Sequence, residues 1–135
     1  MALRDTILGA RDLRHEDVAV PEWGATVRVG EMTAEARLRF EAERDQERTA
    51  KYGGKELPAV RFASLLLRYT LFDPATGEPA FTAADDAALA GKSPAVIFRL
   101  FDRASVLNTI GDKEVAKVSG ESGAVPSGAS PSASR

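Results

Sequence analysis

The sequence predicts an α+β fold, an N-terminal β-hairpin packed on a small, mostly α-helical bundle, followed by a disordered C-terminal tail. Three observations carry this reading. Valines alternate with small or polar residues on both sides of Pro21-Glu22-Trp23-Gly24, the period of half-buried strands joined by a turn. Leu57 to Phe72 is apolar or small at almost every position, which marks a helix with protein on most of its sides. From Ser119 the chain is Ser, Gly, Pro and Ala without period, too poor in bulky apolar residues to offset the entropy of ordering.

Length and composition fit this class. A chain of 135 residues holds one core rather than two, so residues 1–118 are expected to form a single domain and 119–135 its tail. No cysteine is present, which excludes disulfides, thiolate catalysis and cysteine-ligated zinc or iron–sulfur centres, and fits a reducing cytosol. Net charge is −2 with Lys and Arg interspersed among Asp and Glu, so there is no basic stripe for neutralising the phosphates of a nucleic acid. The opening "MALRDTILGARDLRHED" is too charged for a secretory signal, and no stretch approaches the roughly 20 apolar residues of a membrane span. A soluble protein is expected.

Taken in order, Asp5 to Leu13 predicts a short helix with Ile7 and Leu8 inward, weakened by Gly9. Val18 and Val20, then Val27 and Val29, are the inward residues of the hairpin. Pro21, which cannot donate to a ladder, and Gly24, which tolerates positive φ, belong in its turn. Met32, Ala34, Ala36, Leu38, Phe40 and Ala42 alternate strictly with mostly charged residues, a strand period. The residue types are nonetheless those of a helix. Thr33 suits an N-cap, Glu35 the first turn, and Glu35 with Arg39, Arg37 with Glu41 and Arg39 with Glu43 are opposite charges four apart. A solvated helix from 34 to about 49 follows, ending before the Gly53-Gly54 loop. Leu57–Phe72 is the central helix, with Pro58 in its first turn and Arg61, Ser64 and Arg68 as its one polar stripe. Asp73 to Phe81 is turn chemistry. Thr82 and Asp85 form a capping box for a short helix closed by Gly91. The last helix has Ser93 as cap and Pro94 at its first position. Its apolar stripe of Ile97, Leu100, Phe101, Ala104 and Leu107 lies opposite Arg99, Asp102, Arg103 and Asn108. Gly111 is expected to end it, with one further turn around Val115 and Val118.

Little in the sequence reads as catalytic. His15, the only histidine, stands beside Glu16 and Asp17, yet strand neighbours point to opposite faces and no second histidine completes a metal set, so it reads as an exposed residue before a strand. Asp73, Glu78, Asp85 and Asp86 lack calcium-loop spacing, and Asp85 already serves as a cap. Gly53-Gly54-Lys55 lacks the rest of a phosphate loop, and Ser64 and Ser93 have no base to activate them. A non-enzymatic role with no cofactor and no metal is expected.

Two longer stretches, "VPEWGATVRVGEMTAEARLRFEAE" and "FDPATGEPAFTAADDAALAGKSPAVIFRLFDRASVLN", resemble the tail assembly chaperones of long-tailed, non-contractile bacteriophages and their prophages. The likeness covers residues 3 to 110. It implies a chaperone that binds the tape measure protein, a long, largely helical and partly apolar chain, and keeps it soluble while tail tube subunits assemble around it. It further implies action in the host cytoplasm, absence from the finished virion, some homo-oligomerisation, and in many relatives a longer frameshifted product that recruits the tail tube protein. If one exists here, the Ser/Gly/Pro tail suits a linker near the junction. The rival reading is a structural tail or head–tail connector component retained in the virion.

A chaperone of this kind needs an exposed apolar surface. The candidate partner-binding residues are Ile97, Phe101 and Leu107 on the last helix, Leu66 and Tyr69 on the central one, and Trp23 in the turn. Each has a competing reading as core. For Trp23 the choice is between a lid over the helices and an anchor for a partner, and the lid is favoured because a short hairpin needs helices to pack on.

Overall fold

A computed structural model describes residues 2–111. The expected tail at 119–135, the turn around Val115 and Val118 and the end of the 1–118 domain lie outside them. Within them the α+β class is observed, five helices with a three-stranded antiparallel sheet.

The hairpin forms as its alternation requires. Strands β1 (His15–Val20) and β2 (Ala25–Gly30) pair antiparallel with Val18 opposite Val27, and Val20, Val27 and Val29 are buried. A single 3-10 turn at Pro21–Trp23 joins them, and Gly24 with φ 63° supplies the left-handed residue that closes it. Helix α1 (Leu3–Gly9) precedes the hairpin, shorter and earlier than expected. Its Ile7 and Leu8 point outward, not inward, because the helix ends at Gly9 before the chain reaches the domain and so has nothing to pack on.

Helix α2 (Ala34–Tyr52) starts as predicted, with the Thr33 hydroxyl accepting the Ala36 N–H at 3.0 Å. It runs about one turn past the expected end, and Gly53 with φ 60° stops it. Only Phe40 is buried along its length, so residue type overruled the strand-like alternation. The central helix α3 (Ala59–Thr70) packs against α2, against the short helix α4 (Asp86–Ala90), against α5 (Pro94–Asn108) and against β2. Pro58 lies just outside α3, at the N-cap, where its carbonyl accepts the Phe62 N–H at 2.9 Å.

Helix α3 also ends earlier than the apolar run suggested. Leu71–Phe72 forms a third strand, β3, beside β2, with Phe72 opposite Arg28. The Cβ an alanine would carry at Gly30 would sit 3.0 Å from the Phe72 ring, so the glycine lets that ring lie close on β2. Thr82 and Asp85 form their capping box. Pro94 opens α5, but Ser93 caps it through its carbonyl and not its hydroxyl, because its backbone oxygen already faces the Val96 and Ile97 N–H groups at 3.1 and 3.0 Å. Thr109, left-handed at φ 52°, ends α5 two residues before Gly111. The centre of the core is aromatic, Phe62 meeting Phe40 and Phe101 edge to face at 5.9 Å each.

Candidate docking cleft

An apolar cleft of about 400 Å³ opens where α2, the end of α3 and the chain after β3 converge. At the start of α2, its cap Thr33 and then Ala36 and Arg39 are three apart and line one side, and the small Ala36 leaves the room. Tyr69, Phe72, Pro79, Phe81 and Leu13 supply the rest of its apolar lining. The turn that carries Pro79 and Phe81 is locked by backbone bonds from Asp73 N–H to the Glu78 carbonyl at 2.9 Å and from Ala80 N–H to the Leu71 carbonyl at 3.0 Å. Pro79 bridges to Phe72, so the two aromatic residues at either end of a polar turn are brought to one site.

Two residues of the lining, Arg68 and Tyr69, belong to a network of ion pairs and hydrogen bonds that joins the helices behind it. Arg68 donates to Asp86 on α4 and to Glu43 on α2, Arg61 donates to Glu47 and Asp86, and the Tyr69 hydroxyl donates to Glu43 at 2.7 Å. The hydrogen bond from Arg68 holds the Glu43 carboxyl below the usual carboxylate range, and that from Arg61 does the same for Glu47. Burial alone would raise Asp86, but its bonds to Arg68 and Arg61 outweigh that and leave it lowered. Tyr69 is raised, first by burial and then by Glu43. The result is an aromatic floor with Arg39 and Glu31 on its rim, a surface suited to an amphipathic helix that offers an apolar ridge between charges. A second cleft of about 440 Å³, between the start of α3 and the junction of α4 with α5, is walled by helix ends and carries one charge, Lys92. It lacks the mixed rim.

The residues singled out in the sequence divide sharply. Leu66, Ile97, Phe101 and Leu107 are in the core, between 0% and 7% exposed, because the stripes of α3 and α5 face each other; Ile97 also lines the second cleft. Tyr69 is half-buried and lines the cleft. Trp23 is half-buried against the core beside Phe81, Leu89 and Lys92, the place of a lid, in a smaller recess that shares Phe81 with the main cleft. Leu13, Ala36, Phe72 and Phe81 were not foreseen. The legible signal was a pair of aromatics, Phe72 and Phe81, bracketing a turn with no other bulky apolar residue.

The other candidates have structural employment. His15 is exposed at the start of β1, and no group of three or more His, Cys, Asp or Glu among the described residues is placed to hold a metal. The Ser64 hydroxyl donates to the Arg61 carbonyl at 3.1 Å, Asp85 accepts the Thr82 N–H at 2.9 Å, and Gly53 and Gly54 terminate α2. No helix of the described residues is long and apolar enough to cross a membrane.

Comparison with known proteins agrees with the fold. The sequence pattern of phage tail assembly chaperones matches residues 2–118. The solved structure of the bacteriophage HK97 tail assembly chaperone is similar with a TM-score of 0.51 and 25% identity, covering 81% of this chain and 96% of that one. No curated protein matches.

Proposed function

Because this chain belongs to the phage tail assembly chaperone family, we propose that it is a non-enzymatic chaperone that binds the tape measure protein of its phage and helps to recruit tail tube subunits to it. The observation that carries the reading is the family match over residues 2–118, supported by the likeness to the HK97 chaperone over nearly all of that protein. The cleft supplies a physical means. A tape measure protein is long and helical with apolar faces that aggregate when unshielded, and one such face fits between α2 and the Phe72–Phe81 wall. Holding helices this way needs no chemistry and no cofactor. It takes place in the host cytoplasm, before the virion is complete.

The test is to tag the chain in its source cells, identify what copurifies by mass spectrometry, and assay purified particles for the chain itself. A very long helical protein in the pull-down, with this chain missing from particles, is the expected result. Recovery in particles without that client would make it a structural tail or connector component instead.

A further inference from the structure

Helix α1 buries none of its seven residues, and Leu3, Ile7 and Leu8 are 73%, 60% and 67% exposed. A helix this short is not stable alone in water, where lengths below about 12 residues are marginal, so its helical state calls for a surface. Leu3 and Ile7, one turn apart, share a face, and Leu8 flanks it. The segment that follows α1 already enters an uncovered apolar surface, the cleft, at Leu13.

We propose that α1 is a strap that folds over the cleft of its own chain, laying Leu3 and Ile7 against Ala36, Phe72 and Phe81. The dimensions agree. Seven helical residues span roughly 10 Å at 1.5 Å each, and the wall from Thr33 to Arg39 rises roughly 9 Å by the same measure. The hinge is placed for it, since Arg14 is anchored by its N–H to the Glu31 carboxylate at 3.0 Å and by its guanidinium to the Leu107 carbonyl, while nothing packs within 4 Å of where a Cβ on Gly9 would sit, so the chain there is free of the domain. Arg4, at the edge of the apolar face, brings a cation to a rim that carries Glu31. The occupant is the chain's own α1 and not that of a second copy, because so short a tether gives an effective concentration on the order of millimolar, which a free neighbour does not match. That a client must displace the strap rests on the chaperone reading above. The strap itself does not.

Since the natural chain contains no cysteine, introduced pairs report without background. In the full chain carrying Ile7→Cys and Ala36→Cys, mild oxidation is expected to form a bridge within one chain, and the pair Ile7→Cys with Leu38→Cys, on the outer face of α2, is expected not to. A bridge formed only between chains, or no more than in that control, would overturn the strap. A second readout uses the apolar dye anilinonaphthalene sulfonate. Leu3→Asp with Ile7→Asp, which disturbs no buried contact, is expected to raise dye fluorescence about two-fold or more by opening the cleft, as it must if the closed state is substantially populated. Unchanged fluorescence would overturn it equally. Neither readout uses a client, so failure of tape measure binding and failure of the strap are separate results.

Discussion

At the scale of single residues, Asn108 shows how far a side chain's type underdetermines its place. Spacing puts it on the polar face of α5, yet it is 5% exposed. Its Oδ1 accepts the Met32 N–H at 2.7 Å, and its Nδ2 donates to the carbonyls of Ala104 at 2.9 Å and Gly30 at 3.2 Å. Two of these backbone groups lie where β2 gives way to α2, the junction that sets the near wall of the cleft. Asn108→Leu leaves them buried without a partner and is expected to cost about 2–3 kcal/mol, read as a lower urea midpoint with an unchanged slope. The next residue tests the opposite sign. Thr109 holds φ 52°, which disfavours a β-branched side chain. Thr109→Gly is expected to stabilise the protein by roughly 0.5–1 kcal/mol, seen as a raised melting temperature. No signal in the sequence sets Thr109 above Gly111 as the end of the helix, because the stop depends on where Asn108 is held.

At the scale of elements, α2, α3 and α4 are joined by Glu43, Glu47, Arg61, Arg68 and Asp86. The side chains of Arg68 and Asp86 are only 11% and 16% exposed, so the pair is screened less than a surface ion pair. Its effect on stability has a definite sign with pH. Glu43, Glu47 and Asp86 are all lowered in the folded protein, so their contribution is complete above the unfolded values near 4 and is lost as pH falls through the folded ones. The urea midpoint is expected to show no contribution from these groups to its pH dependence above about pH 5 and to fall below pH 4. Asp86→Asn should lower the midpoint at neutral pH and make the acid fall shallower. A midpoint that drops just as steeply in this variant would place the acid sensitivity elsewhere. Elements themselves were largely legible. Valine alternation, the Thr33 cap and the Thr82–Asp85 box each fix a local geometry. Strand β3 was not, because two residues carry no period and Leu71–Phe72 continues an apolar run. Arg61 and Arg68 read as part of one polar stripe, and only the fold reveals the carboxylates waiting opposite.

At the scale of the whole molecule, the burial of Leu66, Ile97, Phe101 and Leu107 has one cause. The most apolar stripes in the sequence, on α3 and α5, are each other's partner, and in a chain this small the strongest stripes are spent on the core. The cleft proposed for a client is lined by positions 13, 36, 72 and 81 among others, each ordinary alone and joined only by topology. This separation makes the two aromatic candidates distinguishable. Trp23 packs on the core while half-exposed, so Trp23→Ala is expected to cost about 1–2 kcal/mol, less than a fully buried aromatic, and to lower the melting temperature. Phe81 lies at the edge of that core with its face to the cleft. Phe81→Asp places a charge where an apolar ridge would dock and is expected to weaken capture of the client about ten-fold or more, equivalent to roughly 1.4 kcal/mol, with a smaller loss of melting temperature than Trp23→Ala. If Trp23→Ala instead kept its melting temperature and lost the client, while Phe81→Asp still captured it, the binding surface would move from the cleft to the hairpin turn.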